Sequence, residues 1–414
     1  MVFEKKYENG LRLVVKKMEG LKSVTMGVIV GTGAAVETDE EDGISHFIEH
    51  MMFKGTKKRT AFEISDAFDR IGAQVNAFTG KDVTCYYAKC TSDHTAETFE
   101  ILSDLFLHSV FPEEEMVREK GVVCEEIAMN EDTPEDLCLD QLARAFYGSQ
   151  NYGRNILGPC ANVRSFTVED IRKYLTARYC PENIVISFAG DLEFADAVAL
   201  VETYFSDLQK GKFEKRTKKI HLQGQSLLTR KKVEQMHIGI AYPAPERDHL
   251  LSDAARAVNV ILGGNMSSRL FQEVREKQGL AYSVYSYISA FEECGSLIVY
   301  AGVNAANVLK AYDAINKVVD ELKEKGITEG EFLRSREQMK SSMFFANEST
   351  SSQMILYGKY MLQRDKLFDF DEELKKLNGM TIEDAQEALK LLFDAKDKAV
   401  SLIGNTKKKL LLSL

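Results

Sequence analysis

Two histidines four residues apart with a glutamate between them, His46-Phe47-Ile48-Glu49-His50, can hold a metal ion and move a proton beside it. On a helix His46 and His50 point to one face, a turn apart, and Glu49 follows His46 by three residues on that side. Imidazole is the commonest metal ligand, and a carboxylate beside a metal-activated water can take its proton. The chain has only seven histidines, so composition alone gives this arrangement odds on the order of one in a hundred. The competing reading is a surface helix whose histidines are satisfied locally.

A catalytic zinc site needs a third protein ligand and an open position. Glutamates downstream offer candidates around Val122-Val123-Cys124-Glu125-Glu126-Ile127. Glu119 and Glu126 are seven residues apart and share a helix face, whereas Glu125 points elsewhere. One can bind the ion while the other orients the site from behind it. Periodicity leaves open which does which, and an acidic solvated face would look the same.

The elements that must position these residues can be read from pattern. Leu11 to Val15, a turn through Glu19-Gly20 and Val24 to Val30 read as an opening hairpin. Gly31-Thr32-Gly33 lacks the remaining residues of a phosphate loop and reads as a strand exit. Ser45 is placed to cap the motif helix. Beyond the motif, Phe62–Ile71 reads as a helix, Gly72–Thr79 and Thr84–Ala88 as strands, and Ala96–His108 as a helix. Glu113–Asn130 follows Pro112 and carries glutamates in its first turn, which suits the positive end of a helix dipole. Leu137–Tyr147, Val168–Tyr179 and Ala195–Phe205 read as further helices, with a buried strand at Asn183–Ala189.

The second half repeats this order. His237–Tyr242 stands where Thr25 to Val30 stood, Asp253–Leu262 near the motif helix without its histidines, and Gly279–Tyr285 where Gly72 to Phe78 stood. Leu297–Ala301, the helix Ala306–Leu322 and the closing strand Ala399–Gly404 match Thr84–Ala88, Ala96–His108 and Ile184–Gly190. Helices at Glu329–Phe345 and Gln353–Met361 lie between. The expectation is an α+β protein of two homologous, duplicated α/β-sandwich domains, each an antiparallel-rich sheet covered by helices. Residues 1–208 form the metal-binding domain, the polar, basic stretch 209–230 a solvated linker, and 231–414 the copy without metal ligands.

Composition sets outer limits. At 44% apolar and 28% charged residues the chain is ordinary globular material, and its net charge of −10 argues against nucleic acid or an anionic membrane as partner. No stretch approaches the ~20 apolar residues of a membrane span. The start of the chain lacks a signal-type apolar core, and Lys407 to Leu412 is too short for an anchor. Seven cysteines, an odd number without Cys-x-x-Cys spacing, read as free buried thiols in a reducing compartment, so the expected location is cytoplasmic.

His46-x-x-Glu49-His50, followed 76 residues after His50 by Glu126, resembles the inverted zinc-peptidase motif of the pitrilysin and mitochondrial processing peptidase family. The flanking His46 to Thr56, HFIEHMMFKGT, is similar to its half-length bacterial branch, and the likeness spans nearly the whole chain. It implies that His46, His50 and Glu126 bind one zinc ion per chain. Glu49 would be the general base and Glu119 the carboxylate behind the ligands. Asn76-Ala77-Phe78-Thr79 resembles the edge strand on which the family lays its peptide, where an open ladder binds extended backbone with little demand on sequence. Arg275 and Tyr282 resemble the pair that donates to the developing oxyanion. The implied activity is hydrolysis of short or unfolded peptides in an enclosed chamber. The implied assembly is a homodimer whose sites are completed in trans. Alternatives are a metal-binding subunit of a heteromeric processing peptidase, or a non-enzymatic core subunit. The glycine-rich loop of the mitochondrial non-catalytic subunit is not visible around Gly263-Gly264.

Overall fold

The computed structural model describes residues 1–405 apart from 212, 214, 216–219 and 396. The basic tail Lys407–Lys409 and part of the expected linker lie outside the described residues. In chain order the first half contains β1 (Val2–Lys6), β2 (Arg12–Lys17), β3 (Ser23–Val30), α1 (Ile44–Met52), α2 (Ala61–Arg70), β4 (Gln74–Thr79), β5 (Thr84–Thr91), α3 (Thr95–His108), α4 (Glu113–Asp132), α5 (Pro134–Tyr147), α6 (Cys160–Ser165), α7 (Val168–Arg178), β6 (Ile184–Gly190) and α8 (Phe194–Phe205). The second contains β7 (Ser226–Arg230), β8 (Gln235–Ala244), α9 (Ser252–Leu262), a π-helical turn at Phe271–Lys277, β9 (Ala281–Ala290), β10 (Gly295–Asn304), α10 (Val308–Lys325), α11 (Glu329–Asn347), α12 (Thr350–Arg364), α13 (Phe370–Gly379), α14 (Ile382–Phe393) and β11 (Ala399–Gly404). Among the described residues no helix is long and apolar enough to cross a membrane.

Two sheets result, with strand orders β1-β2-β6-β3-β5-β4 and β7-β11-β8-β10-β9. Apart from the extra β1 the orders are the same, element for element, which establishes the duplicated α/β architecture. Each sheet has one parallel pair, β2 with β6 and β7 with β11, among antiparallel neighbours. The expected hairpin between residues 11–15 and 24–30 does not form: β6 lies between β2 and β3 and pairs with both. The hairpin partner of β2 is β1. Every residue of β6 is buried, and a strand apolar on both faces belongs at the centre of a covered sheet. The last residues of the expected linker, Ser226–Arg230, are likewise a strand, the edge β7.

The chain separates into two compact units that do not follow the linear division at 208 and 231. Unit 1 comprises Met1–Ile127, Asn155–Thr217 and Met343–Asp369; unit 2 comprises Ala128–Arg154, Lys218–Ser342 and Phe370–Leu414. Helix α12, from the second half of the chain, therefore belongs to the first sheet, and α5, from the first half, to the second. Apolar periodicity says that a helix face must be buried but not against which sheet, so this exchange was not legible from pattern.

In unit 1 one face of the sheet packs against Phe47, Ile48 and Met51 of α1, Phe99, Leu102 and Leu105 of α3 and Phe205 of α8. The other face takes Met354, Tyr357 and Met361 of α12. The close approach of α12 rests on small residues. Gly27 on β3 faces Ser187 on β6 across the ladder, and Ser187 Oγ donates to the Met354 carbonyl at 2.8 Å. Unit 2 repeats the device: Gly239 on β8 faces Ser401 on β11 beneath α5, where Gln141 Nε2 donates to Ser401 Oγ at 2.9 Å. A Cβ on Gly358 of α12 would stand 2.2 Å from Ile29 Cδ1 and 2.9 Å from Ser187 Cβ. Gly358→Ala should therefore destabilise the protein by about 1–3 kcal/mol through overpacking, seen as a lower urea midpoint; an unchanged midpoint would show that α12 does not press on the sheet.

Candidate metal centre

Helix α1 lies over β4 and β5 with Phe47, Ile48, Met51 and Met52 buried, leaving the opposite side for His46, Glu49 and His50. Ser45 does not cap it. The N-cap position is Gly43, at φ 95°, and the carboxylate of Glu37 accepts from the backbone N–H groups of Gly43 and Ser45, each at 2.8 Å. Ser45 sits inside the first turn, and its hydroxyl pairs with that of Tyr174 at 2.8 Å.

Helix α4 brings its glutamates to this face. His46 Nε2 and His50 Nε2 lie 3.7 and 3.4 Å from Glu126 Oε2, and one donor atom from each of the three residues falls within 4.8 Å of the others. Neighbouring donors on a tetrahedral zinc with bonds of about 2.0–2.2 Å stand roughly 3.3–3.5 Å apart. Two nitrogens and one carboxylate oxygen at these separations therefore suit a zinc ion with one further position. Burial is graded: the side chains of His46, His50 and Glu126 are 9%, 22% and 36% exposed, so the cluster opens on the Glu126 side.

Glu119 does not join the cluster. It is 4% exposed and accepts from His50 Nδ1 at 2.8 Å, leaving Nε2 turned to Glu126. Its other oxygen is 2.6 Å from the ammonium of Lys54, one turn beyond His50. The choice between Glu119 and Glu126 that periodicity left open is thus divided geometrically. Lys54 was missed, since a lysine at the end of an amphipathic helix is commonplace.

Electrostatics follow from this packing. Burial, and then the nearby His50, push the His46 imidazole down to about 4. Burial also works against a charged His50, but the Glu119 hydrogen bond and the charges of Glu119, Glu126 and Glu49 outweigh it and leave His50 raised. Glu119 has the converse balance: burial raises it, and His50 and Lys54 pull it below the ordinary carboxylate range. Glu49 is raised by burial, against a hydrogen bond from the Thr79 hydroxyl.

That bond ties the expected substrate strand to the expected base. β4 pairs only with β5 and is an edge of its sheet. Asn76 is exposed, Ala77 faces the main core, Phe78 packs on the opposite face, and Ala77 N–H donates to Asn76 Oδ1 at 2.8 Å. Arg275 and Tyr282 stand in unit 2, with the guanidinium stacked over the Phe271 and Tyr282 rings at 4.7 and 5.0 Å. Tyr282 is 79% exposed.

The expectation of seven free thiols fails at one pair. Cys124 on α4 and Cys160 at the start of α6, 36 residues apart in sequence, form a disulfide with Cα atoms 5.3 Å apart. The other five cysteines are buried and, among the described residues, form no disulfide. The argument from cysteine usage to a reducing compartment falls with it.

Residues 12–160 match the family model described as Insulinase (Peptidase family M16), and residues 165–339 match the Peptidase M16 inactive domain. The chain is 41% identical over 404 residues to the protein named Uncharacterized zinc protease YmxG of Bacillus subtilis, covering 96% of this chain and 97% of the relative. This chain belongs to peptidase family M16. Among solved structures, a protease from Helicobacter pylori superposes with a TM-score of 0.90 at 22% identity, covering 98% of this chain and 99% of that one. A peptidase M16 inactive domain from Pseudomonas fluorescens gives 0.92 at 19% identity, with 98% of each covered. The division of the M16 models matches the asymmetry of the two copies: the His-x-x-Glu-His stretch falls in the first match and is missing from the second.

Because His50 is held protonated to higher pH than an ordinary histidine, an incoming divalent ion must displace that proton. Affinity for zinc should fall as pH drops through the raised value, and binding should release a proton. Titration calorimetry in buffers of different ionisation enthalpy checks this; buffer-independent heats would contradict it. Glu119→Gln should weaken zinc binding about 10–100-fold, measured by chelator competition.

Proposed function

We propose that this chain is a zinc endopeptidase acting on short or unfolded peptides inside an enclosed chamber. The observation that carries the reading is the convergence of His46, His50 and Glu126 donors within 4.8 Å, on the helix face that also presents Glu49. A zinc ion held there would supply a Lewis acid able to polarise the scissile carbonyl and to lower the pKa of a water toward ~7. His46, His50 and Glu126 would hold one ion per chain, with Glu119 and Lys54 fixing the His50 ring behind it. Glu49, kept from full solvation, takes the water proton and passes it to the leaving amine. The substrate backbone lies along the edge of β4 at Asn76–Thr79 and must displace the Asn76 side chain from the Ala77 N–H.

Arg275 and Tyr282 donate to the charge that develops on the scissile oxygen. We place them in the site of a second copy, so that the working unit is a homodimer with each site completed in trans. The exposure of Tyr282, a large aromatic with its hydroxyl available to another surface, supports this.

Glu49→Gln should keep its zinc while turnover of peptides falls ~10²–10⁴-fold; metal content by atomic spectroscopy and kcat on a peptide library read the two separately, and near-normal turnover removes Glu49 from the mechanism. Mixing Glu49→Gln with Arg275→Ala chains in equal amounts should restore about a quarter of the wild-type activity, because about half of the dimers are hybrid and each hybrid has one intact site of two. No recovery after subunit exchange verified by native mass spectrometry would place the pair elsewhere.

A further inference from the structure

The two histidines of the centre are held by different means. The His50 ring is fixed through Nδ1 by Glu119. His46 Nδ1 is buried and, among the described residues, has no hydrogen-bond partner. A metal-ligating histidine is ordinarily oriented by a bond from its other ring nitrogen, so the direction of His46 rests on its backbone and on packing. That backbone is the first turn of α1, of which Ile44, Ser45 and His46 are the first three residues.

A first turn frays unless its free N–H groups find acceptors. Here the N-cap residue is a glycine, with no side chain to supply one. Glu37 does so from eight residues before Ser45, with one carboxylate oxygen on the Gly43 N–H and the other on the Ser45 N–H. The carboxylate is 3% exposed and lies at the positive end of the helix. The Tyr174 hydroxyl, 2.8 Å from both Ser45 Oγ and Thr32 Oγ1, closes the polar pocket beside it.

We infer that Glu37 is a positioning residue for the metal centre: its buried two-oxygen clamp sets where α1 begins, and through that turn the direction of His46. The inference rests on the reading that His46, His50 and Glu126 hold the ion. Both oxygens are needed as acceptors. A glutamine has nearly the same shape but turns an NH₂ toward one of the two N–H groups, so it loses one bond and opposes donor to donor. An aspartate keeps two acceptors at shorter reach.

The test is zinc affinity of the full chain, measured by competition with a chromophoric chelator well below the melting temperature, together with the visible spectrum of the cobalt-substituted protein. Glu37→Gln should bind zinc about 10–100-fold more weakly than wild type and show an altered cobalt band. Glu37→Asp should lose only a few-fold, in the range of roughly 3–10. A lower melting temperature with wild-type zinc affinity and cobalt spectrum in both variants would reduce Glu37 to a structural cap and overturn the inference. Should Glu37→Gln not fold, wild-type affinity in Glu37→Asp overturns it equally. If wild type itself fails to bind zinc more tightly than His50→Ala, the functional reading fails, a result distinct from failure of the clamp alone.

Discussion

The bond from His50 to Glu119 is the contact on which the centre depends. It fixes a ring, selects a tautomer and ties α1 to α4, which the sequence separates by a long excursion through two strands and two further helices. Glu119 is nearly buried, and a buried carboxylate without partners is costly. His50 and Lys54 satisfy one oxygen each, so the charge is compensated without drawing Glu119 toward Glu126. The outcome is two glutamates of one helix in different roles, one against solvent beside the ligand nitrogens and one sealed behind them.

The same strand order built twice serves different ends. In unit 1 the space beside the edge strand is occupied by a helix bearing ionisable groups; the corresponding helix of unit 2, α9, buries alanines, Val258, Ile261 and Leu262 and carries no histidine. What both copies share is the seating of an exchanged helix: a glycine opposite a serine, under α12 in one sheet and α5 in the other. The constraint common to the copies is thus one of packing, and the chemistry is an addition to one of them.

Much of this was legible in the residues. His46 and His50 are readable because i, i+4 spacing on a helix has a single geometric meaning, and the duplication because strand and helix patterns recur in order. The Glu126 assignment needed the resemblance, since seven-residue spacing puts Glu119 on the same face. The hairpin at residues 11–30 was misread because short range favours adjacent pairing, whereas the doubly apolar Ile184–Ala189 competes for the central place. Ser45 looked like a cap by residue type, but the acceptor came from Glu37, across a loop whose course is not encoded in local pattern. The Cys124–Cys160 pair was invisible for a similar reason: it depends on where α6 returns to α4.

The exchange of α5 and α12 bears on what a cut in the connecting segment would do. Neither piece of a chain nicked between residues 209 and 225 carries all the layers of its own sheet. The N-terminal piece would bare the strand face that Met354, Tyr357 and Met361 cover, and the C-terminal piece the face beneath Cys138 and Leu142, each of which would stand 3.2 Å from a Cβ on Gly239. Each fragment holds the missing cover of the other, like hands clasped across a gap. Each half of the sequence is thus built with a layer from the other, and a cut at the boundary of the duplication does not release two sheets with their covers complete.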